Sequence, residues 1–284
     1  MVLFDAVIAA GTIVLGTQSA LAATKPFTIV IDPGHGGADL GTVYNDGKTF
    51  TAEKNVTLVI AREAARQLRA RGIRAVLTRD SDRDVPLASR TQLANRIGAD
   101  LFLSIHMNST ATPMVNDAEG TETFILNNTT DASSRRLAHL ENSVIGGNPN
   151  DSPEQLDVAL ILKDLRLDAN LAGSKQLACL LQQKLVTGIS ASYRFSPALT
   201  HIRNRGVRQA LFHVLLGADM PSALLEVGFL TNARDRSITA APYGQRAIGR
   251  SIASAIEQFK LGRKTQGAAA VPAGGAAAVS CRIH

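Results

Sequence analysis

Four side chains in this 284-residue sequence have the types and positions that metal-assisted hydrolysis requires. His35 stands in IDPGHGG, three residues past the apolar run FTIVID. Glu53 opens the helical pattern that follows it, His106 closes LFLSIH, and Glu226 closes ALLE. Imidazole and carboxylate groups suit zinc, and three of them leave a coordination position for water. Such a site polarises a carbonyl and brings the pKa of water to about 7. A further carboxylate must then move the proton to the leaving group. Three ligands and one acid/base would use all four residues. Taken singly, each has a plainer role: a satisfied loop histidine, a helix-start carboxylate facing the dipole, or a strand-end glutamate in a salt bridge. His139, His201, His213 and His284 lack comparable placement and are expected on the surface, in loops or in the core.

The elements that would position these groups alternate. Strands are expected at Phe27–Asp32, Ile73–Arg79, Leu101–His106, Thr121–Leu126, Leu211–Leu215 and Ala223–Glu226. Helices are expected at Ala52–Arg71 (with Val56, Ile60, Ala64 and Leu68 on one face), 86–97, Ala172–Val186 and Ala241–Leu261. Alternation of this kind predicts an α/β layer with a largely parallel sheet. The carboxyl ends of parallel strands and the amino ends of the following helices share one edge, so the four groups converge there. Residues 129–170, polar and rich in Asn and Asp, read as a helical insertion or an excursion from the sheet.

Composition narrows the function classes. The chain is 45% hydrophobic and 19% charged with a formal charge of +6, a globular balance that favours anionic partners. Only 4% of residues are aromatic and there is no Trp, which argues against an aromatic sugar groove or a base-stacking platform. The basic residues (Arg62, Arg66, Arg69, Arg71, Arg203, Arg205, Arg208) are scattered, so nucleic acid is not an expected partner. IDPGHGGADLG lacks the GK[ST] ending of a P-loop and the spacing of GxGxxG. Residues 1–23, with an apolar run over Val7–Leu15 and a small-x-small Ala20-Leu21-Ala22, read as a cleaved export signal. The mature chain would begin near Ala23 and work outside the cytoplasm, without stable membrane insertion. Cys179 and Cys281 are not expected to pair; Cys179 reads as a small core hydrophobe. The tail from 263 to 284, dominated by Ala, Gly and Pro, is expected to be disordered.

Together with AEKNVTL (52–58), TRDSD (78–82), SRTQLAN (89–95), ADLFLSIHMNS (99–109), GTETFIL (120–126), RGVRQALFHVL (205–215) and MPSALLEVGFLTN (220–232), the DPGHGG segment resembles the zinc-dependent N-acetylmuramoyl-L-alanine amidases, in particular the periplasmic type used in daughter-cell separation. The resemblance spans residues 26–262, which would form one catalytic domain. It implies a mixed, mainly parallel six-stranded sheet flanked by helices in three layers, with a helical regulatory insertion at 129–170. It implies Zn2+ held by His35, Glu53 and His106, with Glu226 as catalytic acid/base. The implied reaction is hydrolysis of the amide between the lactyl group of N-acetylmuramic acid and L-alanine in peptidoglycan. VYNDGKTFT (43–51) departs from the family pattern as an extension between His35 and Glu53. The insertion is similar to one whose helix lends a carboxylate to the metal until an activator displaces it; by position that carboxylate is Glu141, an autoinhibitory ligand. A LytM-type activator is the implied partner, with DVALILKDL (157–165) as a docking stretch, and the protein is expected to be a monomer. Other zinc peptidoglycan peptidases or deacetylases would share the metal chemistry, and a wall-binding module would need no Glu226.

Overall fold

The computed structural model describes residues 25–110, 118–143, 153–193, 202–268 and 281–284. The export-signal segment 1–23 lies outside the described residues. Among the described residues eight strands and seven helices follow in order: β1 (Thr28–Pro33), β2 (Val43–Asn45), β3 (Phe50–Ala52), α1 (Glu53–Arg69), β4 (Arg74–Leu77), α2 (Leu87–Arg96), β5 (Leu101–Asn108), β6 (Thr121–Leu126), α3 (Ala132–Asn142), α4 (Pro153–Ser192), β7 (Asn204–Ala210), α5 (His213–Leu216), β8 (Ser222–Phe229), α6 (Ala233–Thr239) and α7 (Pro242–Ala268).

Six strands form one sheet in the order β4-β1-β5-β8-β6-β7, parallel throughout except where β6 runs against β8. This is the mixed, mainly parallel three-layer α/β fold that the sequence implied. The central strands β1, β5, β6 and β8 are buried along their whole length, which is why they read as near-continuous apolar runs. On one face Ile29, Leu103, Leu225 and Val207 pack with α1, α4 and α7 in a single core. On the other, Val30, Phe102, Phe124 and Leu224 pack with residues of α2, α3 and α5.

Two buried arginines fix the loop after β1. Arg90 of α2 makes a 2.8 Å ion pair with Asp32, whose carboxylate also accepts from Thr78 Oγ1 and Ser104 Oγ. Burial works against charge on Asp32, but Arg90 and these hydroxyls together hold its pKa below the usual range. Arg90 goes on to donate to the carbonyls of Pro33 and His35, while Arg79 donates to those of Pro33, Gly34 and Lys54. Arg79 is fully buried, and desolvation together with the nearby Arg90 lowers its pKa to about 10. Six guanidinium and hydroxyl donors are therefore spent on Asp32 and the loop backbone, not on a solvated surface.

Several elements differ from expectation. The extension at 43–51 is a β-hairpin, its turn closed by Asp46 Oδ1 accepting from the amides of Lys48 and Thr49. The strand expected at Leu211–Leu215 is instead the short helix α5, and the strand lies one segment earlier as β7. A five-residue apolar run has no periodicity to separate buried strand from helix, and β7 is an edge strand with polar, Gly-interrupted sequence. The insertion and the helix expected at Ala172–Val186 belong in part to one continuous helix, α4. The 157–165 stretch lies on its first half, with side chains outside the described residues. Gly262 does not end α7, and the tail is not structureless throughout: Ile283 bridges Val207, and His284 N donates to Val207 O.

The cysteine expectation is overturned. Cys179 of α4 and Cys281 form a disulfide with Cα atoms 5.6 Å apart, fastening this tail segment beside β7. An Ala/Gly/Pro tail carries no periodic signal that would place its cysteine, so the pairing was invisible in sequence.

The bridge closes a loop of 102 residues. Cys281→Ser is expected to lower unfolding free energy by about 2–4 kcal/mol, read as a fall in the urea midpoint; an unchanged midpoint would contradict it. Arg90→Leu leaves Asp32 as a buried, partly compensated charge. It should cost about 3–5 kcal/mol in the same assay.

Candidate metal centre

The carboxyl edge of the sheet gathers all four predicted site residues. His35 sits in the tight turn after β1 with φ of 59°, a left-handed conformation rare for a side-chain-bearing residue and held here by the Arg90 and Arg79 bonds to its flanking carbonyls. Glu53 is the first residue of α1, His106 lies near the end of β5, and Glu226 lies on β8 directly beside His106 in register. Glu122 of β6 is in turn the register partner of Glu226. His106, Glu226 and Glu122 thus form a row across three adjacent strands on the sheet face covered by α3.

The fifth predicted residue, Glu141, reaches this row from the last turn of α3. Its Oε2 lies 3.3 Å from His35 Nε2 and 3.0 Å from His106 Nδ1. Glu53 Oε1 lies 3.1 Å from each of the same nitrogens. One ligand atom from each of His35, Glu53, His106 and Glu141 falls within 4.8 Å of all the others. A tetrahedron with metal–ligand distances of 2.0–2.1 Å has edges of about 3.3 Å, which the four measured separations approach. Two carboxylates and two neutral imidazoles carry two negative charges, the complement of a divalent cation. Buried His35 Nε2 and Glu141 Oε2 find no hydrogen-bond partner of good geometry, so both are directed at a shared centre and not at protein donors. The donor set fits zinc.

Each candidate ligand is oriented by a second contact. His35 Nδ1 lies 2.7 Å from Asp39 Oδ2, which fixes the tautomer that presents Nε2 to the centre. Glu53 Oε1 accepts from Met107 N and Oε2 from Thr42 N, both at 2.8 Å. Gly34 gives the His106 ring its place: a Cβ there would stand 2.5 Å from the ring's Cε1 and Nε2. Gly41, at φ of 63°, does the same for His35 and Glu53. Glu141 is held through its neighbour, because Asn142 donates to Leu211 O and accepts from His213 N while Leu137 and Ala138 are buried in the core. Asp39 and Asn142 were not anticipated from the sequence. The first is a carboxylate four residues past a loop histidine, a visible signal; the second depends on a contact made about 70 residues away.

The electrostatics are those of a site rich in negative charge. Burial works against charge on His106, but the carboxylates of Glu141 and Glu53 hold its pKa up at about 10; His35 is pushed up for the same reason by Glu53, Asp39 and Glu141. Glu226 is fully buried, and neither carboxyl oxygen has a hydrogen-bond partner among the described residues. Burial, then the charges of Glu141, Glu53 and Glu122, push its pKa well above the usual carboxylate range against the opposing pull of His106. A cavity of about 240 Å3 opens beside the cluster, bordered by Asp39, Arg90, Asn142 and Phe212.

Comparison with known proteins agrees with this geometry. A family model described as N-acetylmuramoyl-L-alanine amidase matches residues 29–258. Among curated relatives, the N-acetylmuramoyl-L-alanine amidase AmiC of Neisseria meningitidis serogroup B is 33% identical over 235 residues, covering 81% of this chain and 52% of its own length. AmiA of Escherichia coli K12 is 32% identical over 236 residues, covering 81% of this chain and 75% of its own. The chain therefore spans about half the length of the meningococcal relative. Among solved structures, an N-acetylmuramoyl-L-alanine amidase from Clostridium difficile 630 superposes with a TM-score of 0.60 at 27% identity, covering 83% of this chain and 97% of that one. AmiC2 of Nostoc punctiforme gives a TM-score of 0.58 at 28% identity, with the same coverage. No helix among the described residues is long and apolar enough to cross a membrane. This chain belongs to the N-acetylmuramoyl-L-alanine amidase family.

Proposed function

We propose that the protein is a zinc-dependent N-acetylmuramoyl-L-alanine amidase that hydrolyses the amide between the lactyl group of N-acetylmuramic acid and L-alanine in peptidoglycan. The observation that carries this reading is the meeting of His35, Glu53 and His106 at one centre with Glu226 alongside. His35, Glu53 and His106 would hold the ion. When bound, zinc supplies Lewis acidity, which polarises a carbonyl and makes water nucleophilic near neutral pH. Glu226 takes the proton from the attacking water and delivers it to the amide nitrogen as the C–N bond breaks. A buried carboxyl with raised proton affinity suits both halves of that transfer. Asp39 keeps His35 in the ligating tautomer, and Thr42 N and Met107 N keep Glu53 from rotating away.

Glu141, whose Oε2 lies within 3.3 Å of His35 Nε2 and 3.0 Å of His106 Nδ1, would act as a fourth protein ligand and leave no place for water, a self-inhibited arrangement. A LytM-type activator that engages the insertion would withdraw α3 and free that position. Residues 1–23 would direct export, and the enzyme would act in the periplasm, during cell-wall remodelling and daughter-cell separation.

Digestion of purified sacculi by the zinc-loaded protein should release peptides with a free L-alanine amino terminus. Release of other termini, or of acetate, would assign a peptidase or a deacetylase instead. Glu226→Gln should keep its zinc, measured as metal content, and lose hydrolysis by about 10²–10⁴-fold; retained activity would remove Glu226 from the mechanism. Glu141→Ala should raise hydrolysis in the absence of an activator, with Asn142→Ala moving it in the same direction. Unchanged basal rates in both would refute self-inhibition.

A further inference from the structure

Beyond the metal cluster the row of site residues continues into a cationic wall. Glu122, next after Glu226, accepts from Asn108 Nδ2 and lies 3.0 Å from both Arg205 Nε and Arg208 Nε on β7. Two residues four apart or two apart on a regular strand share a face, but three apart do not. Arg205 and Arg208 are three apart and still meet at one carboxylate. The cause is a bulge: Thr121 pairs with Asn204 but Thr123 pairs with Val207, so β7 carries an extra residue there, with Gly206 at φ of 86°. The bulge turns Arg205 onto the site face, where its guanidinium also lies 5.0 Å over the Phe229 ring.

A cavity of about 500 Å3 opens at this point, between α3 and the β6–β7 edge. Its ionisable lining among the described residues is Arg136, Arg203, Arg205 and Glu122; Arg136 would leave with α3, so the sheet edge alone keeps Arg203 and Arg205 against Glu122, an excess of one positive charge. Arg205 commits Nε to Glu122, and its terminal amino groups meet no hydrogen-bond partner among the described residues. Arg203 and Arg136 are exposed at the cavity wall. The ligand set of the metal cluster calls for a cation, whereas this neighbouring cavity is lined mainly by cations, so the two places differ in the sign of the group they accept.

Resting on the reading of the protein as an amidase, we propose that Arg205 and Arg203 form a subsite for a carboxylate of the peptide released by the reaction, and so determine which stem peptides are accepted. Adjacent strands lie about 4.8 Å apart, which puts Glu122, two strands over, about 10 Å from His106; Arg205 and Arg208 stand on the third strand but reach back to Glu122, so the site lies about three extended residues away. The carboxylate therefore belongs to one of the first three residues of the peptide. Guanidinium groups bind carboxylates with charge-assisted hydrogen bonds and lose that contact when the carboxylate is amidated.

The test uses zinc-loaded full chain carrying Glu141→Ala and two synthetic muramyl tripeptides that begin L-alanyl-glutamyl, with all of the peptide's carboxylates either free or amidated. The free acid should be cleaved with a KM about 10-fold or more below that of the amidated peptide, the scale of one charged hydrogen bond, at similar kcat. Arg205→Gln keeps a donor for Glu122 while removing the charge. It should abolish this discrimination by raising KM for the acid alone. Arg203→Gln, an exposed substitution with little bearing on folding, should reduce the discrimination in the same way. Equal KM values in the parent, or arginine variants that weaken both substrates equally, would overturn the subsite while leaving the amidase reading intact. Cleavage of neither peptide by the parent would instead overturn the amidase reading, and the subsite with it.

Discussion

The interaction on which this architecture depends is the burial of carboxylates against one another at the carboxyl edge of the sheet. Glu53, Glu141, Glu226 and Glu122 come together with two imidazoles in a region that water barely reaches. Like charges at such distances repel strongly in a medium of reduced dielectric constant, and the protein compensates in distinct ways. Glu53 is met by backbone amides, Glu122 by two guanidinium groups, and Glu226 by proton uptake. The remaining negative charge is what a divalent cation would neutralise. The supporting shell is correspondingly polar and rigid: Asp32, Arg90 and Arg79 form a buried lattice under the His35 turn where a purely apolar core would have been the simpler construction.

Much of this was legible in the sequence because the sheet rule is strong. Strand ends and helix starts of a mainly parallel sheet share one edge, so residues as distant as His35 and Glu226 could be brought together from motif placement alone. The helix α1 and the strands β1, β5, β6 and β8 carry clear periodicity or continuous apolar runs, and they fall where expected to within a few residues. Glu141 was placed by family likeness, and the geometry sets its carboxylate beside both histidines.

What stayed hidden has physical reasons. Strand β7 is an edge strand whose residues (NRGVRQA) are selected for a bulge and for guanidinium placement, not for alternation. The roles of Arg79, Arg90, Arg205 and Arg208 could not be read from spacing, since each acts across at least 20 residues on a partner in another element. In a linear view Arg205 and Arg208 belonged to a scattered basic surplus, and nothing singled out Arg79 and Arg90, which the fold places in the interior. The disulfide escaped for the opposite reason, that the low-complexity stretch before Cys281 gives no hint of where the chain returns.

That return has a consequence for the life of the protein as a solute. β7 closes one side of the sheet, and a bare strand edge offers unpaired amides and carbonyls to any passing chain. Here the last residues, tied down through Cys179, occupy part of that border: Ile283 lies alongside Val207 and the His284 ring rests above Gly206. A molecule whose thiols never joined would present this border open and would be prone to self-association. Oxidation thus does more than tighten the fold; it helps keep each copy of the chain apart from the next.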